Sequence, residues 1–293
     1  MAAEPVKTLH RLEITLPTLV GEDELSPLQE AVPWGWEESA LHGRTRLTVH
    51  CQEHGQAARV QRAVSKLFPG ARIDQFREES RNWMDGWKDF FTPIQVQGLF
   101  TVLPPWLEEE TDLQGRTPIL INPKTAFGTG HHATTALCLE AVADLFRAGT
   151  LERGKTFLDL GTGSGILGIG CARLGMSGLG LDIDPEAVRN AGENRELNAI
   201  PQGHFELVTG TLDCLSTSKR FDLILANILA GPLMAMAPSL AARRAQGSTL
   251  VLSGILQDQR ERVIRSYRNQ GLAPPRILIR DEWCALLWHP ALS

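Results

Sequence analysis

The residues best suited to chemistry gather around one glycine-rich segment, Asp159-Leu160-Gly161-Thr162-Gly163-Ser164-Gly165, which follows the apolar pair Phe157-Leu158 and leads into Ile166-Leu167. Three glycines at alternate positions let a ligand lie against the backbone, because no Cβ stands in the way. Gly163-Ser164-Gly165-Ile166-Leu167-Gly168 also satisfies the dinucleotide pattern G-x-G-x-x-G, a match that by itself discriminates weakly. Charge separates the candidate ligands. A carboxylate at Asp159 would repel a pyrophosphate, whereas S-adenosylmethionine carries an α-ammonium and a sulfonium and no phosphate. The segment therefore predicts S-adenosylmethionine as cofactor, with Asp159, Gly161, Gly163 and Gly165 around it and NAD as the competing ligand.

Two further strand ends carry suitable groups. Asp182 closes the apolar stretch after Gly178, where a carboxylate can accept hydrogen bonds from both ribose hydroxyls. The neighbouring Asp184, just before Pro185, fits a helix cap better. Asn227 ends the run Asp222-Leu223-Ile224-Leu225-Ala226. An amide oxygen there, with a nearby backbone carbonyl, can accept the N–H bonds of an amine and aim its lone pair at a methyl group. Upstream, Asn122-Pro123-Lys124-Thr125-Ala126-Phe127-Gly128-Thr129-Gly130-His131-His132 is small and polar before a helix expected from about Thr134, a loop suited to covering a bound cofactor. His131 and His132 lack carboxylate or cysteine partners at ligand spacing, so loop structure is expected of them and no metal site.

Regular elements must hold these groups in place. Residues 157–160, 179–183, 205–208, 221–226 and 249–252 read as apolar strands alternating with helices at 166–174, 186–198 and 255–270, and two more strands are expected at 276–279 and 283–288. That alternation specifies a Rossmann-like, mostly parallel sheet of seven strands with helices on both faces. Before it, alternating patterns at 8–16 and 45–50, a helix at 56–67 and a strand after Gly70 predict a small α+β domain of ferredoxin-like type. Trp83, Trp87, Phe90 and Phe91 suggest a hinge. The expected layout is a substrate-recognition domain at 1–80, a linker at 81–106 and a catalytic domain at 107–293.

A chain of 293 residues is long enough for two such cores. No apolar run approaches the ~18 residues of a membrane span, and the N-terminus lacks a basic stretch followed by an apolar one, so a cytoplasmic protein without a membrane partner is expected. The net charge is −5, and residues 1–92 hold fewer basic than acidic side chains, which weighs against direct nucleic-acid binding. Five scattered cysteines without a C-x-x-C pair suggest small core residues.

Taken together these segments resemble the PrmA family, class I methyltransferases that modify large-subunit ribosomal protein eleven. The likeness spans about residues 82–290 and rests on Asn82-Trp83, Trp87-Lys88, Pro104-Pro105-Trp106, Ala126-Phe127-Gly128-Thr129-Gly130-x-His132-x-Thr134-Thr135, Asp159-x-Gly161-x-Gly163-Ser164-Gly165, Asp182-Ile183-Asp184-Pro185, Ala226-Asn227-Ile228-Leu229, Ser253-Gly254-Ile255 and Glu282-Trp283. The resemblance implies that Thr135, Gly161, Asp182 and Asn227 contact S-adenosylmethionine and that Phe127 borders the methyl group. It also implies repeated methylation of the α-amine and lysine ε-amines of that ribosomal protein, gripped by the N-terminal domain. The departures lie before Asn82, where few residues match by motif, and at Lys124, where the family usually has Gly. Other acceptors remain open: another protein lysine, a nucleic acid (the Asn-ended strand is also similar to the N-P-P-Y of amino-methylating enzymes of nucleic acid) or a small amine. So does a non-catalytic binding module that keeps only the fold.

Overall fold

The computed structural model describes residues 8–25, 27–28, 31–32, 36–41, 43–51, 54–79, 92–122 and 132–289. Phe127, Lys124, His131 and the aromatic cluster from Trp83 to Phe91 lie outside the described residues. The chain divides into two compact units, Met1–Phe91 and Thr92–Ser293.

In the first unit, β1 (Thr8–Thr15), α1 (Glu22–Leu25), β2 (Glu37–Leu41), β3 (Arg44–Cys51), α2 (His54–Leu67) and β4 (Arg72–Glu79) follow in sequence. The strands form an antiparallel sheet in the order β2-β3-β1-β4, the split β-α-β arrangement of ferredoxin-like units. Strand alternation sends Leu12, Ile14, Leu47 and Val49 to one face, where Ala57, Val60 and Val64 of α2 close a core from which water is excluded.

The second unit begins with β5 (Ile94–Val96), β6 (Phe100–Leu103) and β7 (Thr117–Leu120), a small sheet of its own. Residues 92–106, expected from sequence to belong to a linker, thus carry two strands of this unit. After α3 (Ala133–Arg147) come β8 (Thr156–Leu160), α4 (Ile166–Arg173), β9 (Ser177–Asp182), α5 (Pro185–Leu197), β10 (Phe205–Thr209), β11 (Phe221–Asn227), α6 (Ala230–Ala235), α7 (Ala237–Ala242), β12 (Arg244–Leu256), α8 (Arg260–Arg268), β13 (Arg276–Arg280) and β14 (Trp283–Trp288). The large sheet runs β10-β9-β8-β11-β12-β14-β13. Its first five strands are parallel, and β14 is antiparallel to both neighbours. This is the Rossmann-like, mostly parallel sheet read from the sequence.

Because successive strand residues point to opposite faces, Phe157, Leu223 and Leu225 enter one core with Leu139 of α3 and Ile169 of α4. Leu158, Ile224 and Ala226 enter the other, with Leu233, Leu240 and Tyr267 of α6–α8. Tyr267 is fully buried, and its hydroxyl donates to the Leu233 carbonyl at 2.9 Å. Four of the cysteines are buried and Cys214 is exposed.

One expected helix is shorter than its pattern. The apolar pattern places residues 255–259 in a helix over 255–270, yet Ile255 and Leu256 pair with Cys284 and Trp283 as the end of β12, and α8 starts at Arg260. Apolar side chains at this spacing suit either element. The partner strand β14 decides the matter, and it lies some thirty residues downstream, outside any local window.

Candidate active site

The switch point of the large sheet lies between β8 and β11, where the chain leaves toward opposite edges, and ligands of open α/β sheets bind at the carboxyl ends of the strands there. A cleft of about 680 Å³ occupies that place, within the ~300–1,000 Å³ typical of small-molecule sites. Its wall comes from the segments just after β8, β9, β10 and β11, closed by Thr135 of α3 and by Pro232 and Met236.

The structure brings Thr135, Gly161, Gly163, Asp182 and Asn227 together around this cleft. Gly161 has φ +73, and a Cβ on it would overlap Ile228 Cγ2. A glycine is required there on both counts. The Gly163 N–H donates to Asp182 Oδ2 at 2.9 Å, while Asp182 Oδ1 accepts from the Asp184 N–H at 3.1 Å. The end of β9 is thereby tied to the turn after β8, with acceptor capacity left on both carboxylate oxygens. Asp184 caps α5 by accepting from the Glu186 N–H at 2.9 Å, as its place before Pro185 suggests.

Asp159 and Gly165 do not line the cleft. Alternation along β8 places Asp159 on the same face as Phe157, beneath α4, where it is 1% exposed and its Oδ2 accepts from Thr162 Oγ1 at 2.7 Å and the Gly168 N–H at 3.0 Å. Burial pushes its carboxyl up to about 6 against the counter-effect of those two bonds. Gly165, at φ +82, starts α4 against Ala191. These two residues build the turn from below and behind, whereas the sequence reading put them among the ligand contacts. His132 likewise serves structure. It is the N-cap of α3, accepting from the Thr134 N–H, and its ring stands edge-on to Trp283 at 5.0 Å.

Asn227 sits at the last position of β11, in register with Ser253. Its Nδ2 donates to Thr135 Oγ1 at 3.3 Å, and among the described residues its buried Oδ1 has no hydrogen-bond partner. A buried acceptor left open carries a desolvation cost of about 1–3 kcal/mol, which a ligand N–H would remove. The residues that follow, Ile228 and Leu229, complete the wall, and Leu229 and Ile183 are 70% and 76% exposed at its rim. Sequence reasoning passed over Thr162, Ile183, Asp184, Thr211 and Leu229 as lining residues. Most of them flank a recognised strand end, which is the signal that could have found them.

Among the described residues that line the cleft there are two carboxylates, Asp182 and Asp184, and no lysine, arginine or histidine. Such a wall has no cationic side chain to pair with a diphosphate, and its carboxylates suit a cation. Strand order, glycine turn and anionic cleft together define a class I methyltransferase, and S-adenosylmethionine is its methyl donor. The family model described as "Ribosomal protein L11 methyltransferase (PrmA)" matches residues 19–290. The chain is 40% identical to the ribosomal protein L11 methyltransferase of Geobacter sulfurreducens over 80% of its own length and 77% of the relative's. It is 35% identical to that of Sorangium cellulosum over 78% and 70%. A crystal structure of ribosomal protein L11 methylase from Lactobacillus delbrueckii subsp. bulgaricus superposes with a TM-score of 0.59 at 29% identity, covering 67% of this chain and 96% of that one. The chain belongs to the ribosomal protein L11 methyltransferase (PrmA) family.

Proposed function

We propose that this enzyme transfers methyl groups from S-adenosylmethionine to the α-amine and lysine ε-amines of ribosomal protein L11, in the cytoplasm where that protein is made. The observation that carries the reading is the open Asn227 Oδ1 in a wall whose described residues include two carboxylates and no cation. In this reading Thr135, Gly161, Gly163, Asp182 and Asn227 hold the cofactor, Asp182 by accepting from its ribose hydroxyls, while Asp159 and Gly165 shape the turn. Phe127 borders the methyl group on the strength of the family motif. The Met1–Phe91 unit recognises the protein substrate.

Bound S-adenosylmethionine supplies an electrophilic methyl group on a sulfonium. Asn227 Oδ1 accepts an N–H of the incoming amine and orients the nitrogen lone pair along the line of attack, so catalysis rests on alignment. No residue of the wall needs to act as a strong base, because the amine loses its proton to solvent before attack and a neighbouring positive charge favours that loss. The apolar rim at Ile183 and Leu229 suits the aliphatic stem of a lysine. The same wall, without basic side chains among its described residues, is poorly suited to a nucleic-acid backbone.

Mass spectrometry of ribosomal protein L11 from cells with and without this enzyme tests the proposal. Methylated amines that vanish with the gene are expected. Unchanged L11, together with label from the cofactor appearing in rRNA, another protein or a small amine, would replace it.

A further inference from the structure

Helix α5 carries polar residues where a buried face is normally apolar. Asn194 is 0% exposed and Asn198, one turn on, is 4% exposed. Each amide both donates to and accepts from distant backbone. Asn198 accepts from the Leu120 N–H at 2.9 Å and donates to the Leu120 carbonyl at 2.7 Å, fastening α5 to the end of β7. Asn194 does something different. Its Nδ2 donates to the Ser164 carbonyl, inside the glycine turn, at 2.8 Å, and its Oδ1 accepts from the Asn122 N–H at 3.0 Å. One side chain thus joins the turn to the chain just after β7, across sequence separations of 30 and 72 residues.

We propose that Asn194 is a positioning residue for cofactor binding: by bridging the Ser164 carbonyl and the Asn122 N–H, it sets the glycine turn against the chain just after β7. The inference rests on the reading of this cleft as the S-adenosylmethionine site. Asn194 does not line the cleft, so its effect passes through the backbone it holds. Residues Gly161 to Ser164 line the cleft directly, and Ala191 of the same helix backs Gly165, where an added Cβ would stand only 3.1 Å away. A buried polar group that loses its partner shifts its neighbours or admits water, and here the neighbour is the ligand's own support. Asn198 supplies the internal control. It is a buried Asn at the C-cap of the same helix, with bonds to Leu120 and to Asn194 of that helix and none to the turn.

The test is calorimetric titration of S-adenosylhomocysteine, the demethylated product, into the full chain, with thermal unfolding of each variant alongside. Asn194→Asp retains an acceptor for Asn122 but sets a second oxygen against the Ser164 carbonyl. It is expected to weaken binding about tenfold, and S-adenosylhomocysteine, a thioether without the sulfonium charge, gains little from the added negative charge. Asn194→Ala, the second variant should the first not fold, is expected to do the same. Asn198→Asp is expected to lower Tm comparably while keeping affinity within about twofold of wild type. Wild-type affinity in the Asn194 variants, or an equal loss in Asn198→Asp, would overturn the assignment. Wild-type enzyme that binds no S-adenosylhomocysteine would instead overturn the cofactor reading, and the role of Asn194 with it.

Discussion

Asp159 is a carboxylate sealed under the helix it helps to start, and its replacement by Asn has a calculable consequence. Desolvation raises its carboxyl from an ordinary 3.8 to about 6 even though Thr162 and Gly168 both donate to it. The raised value means that the folded protein holds this proton more tightly than the unfolded chain does. Below about pH 3.8 both states are protonated and the residue costs nothing. Between pH 3.8 and 6 the unfolded chain ionises first, so stability falls as pH rises, and above 6 the full penalty remains. The interval corresponds to about 3 kcal/mol. Asp159→Asn keeps an oxygen that can accept both hydrogen bonds and removes the charge. At pH 8 the variant without cofactor is therefore expected to be more stable than wild type by up to about 3 kcal/mol, less whatever the new NH₂ loses if it finds no acceptor. Urea unfolding of both proteins from pH 4 to 8 reads the difference directly, and carboxylates other than Asp182, whose charge acts on Asp159, cancel in it. The advantage of the variant should grow through pH 4–6 and then level off. A variant less stable than wild type at pH 8, or a difference that is flat across the range, would refute the reasoning. Cofactor affinity should move the opposite way, because a negative field beneath the turn is lost, making this a site where function is kept at a cost in stability.

Asn227→Ala should lower kcat about a hundredfold by removing the group that aims the amine, and steady-state kinetics with L11 showing wild-type turnover would sink that role. Gly161→Ala should destabilise the protein and weaken cofactor binding, since the new methyl meets Ile228 at φ +73. The double variant Gly161→Ala/Ile228→Ala should recover part of the loss in a double-mutant cycle. With no strong base among the described residues of the wall, the rate should follow the neutral fraction of the acceptor. Methylation of an α-amine should level off near pH 8, while that of a lysine should keep climbing about tenfold per unit, as site-resolved mass spectrometry across pH would record. Tyr267→Phe should lower stability by about 1 kcal/mol through loss of the bond to Leu233, with kcat and KM unchanged.

Much of this protein can be read from its residues in order. The parallel sheet is legible because its strands are short apolar runs separated by helical patterns, and the strand ends at Gly161, Asp182 and Asn227 are marked by residues that an apolar strand would not otherwise contain. Local chemistry suffices for Asp184 as well, since a cap two residues before Glu186 depends only on neighbours.

What local order could not settle is direction and long-range pairing. Alternation along β8 places Phe157 and Asp159 on one face, but only the packing of α4 and α3 decides that this face is the interior, which turns Asp159 from an expected ligand contact into a buried support. The end of β12 needed β14 as partner before residues 255–256 became strand. The reach of Asn194 to Ser164 and Asn122, and of Ile228 to Gly161, joins residues whose spacing carries no periodic signal. Hydrophobic period and turn chemistry are properties of neighbours in the chain, and they determined the elements. The cleft, its charge and the open oxygen of Asn227 exist only where those elements meet, and that was decided by burial.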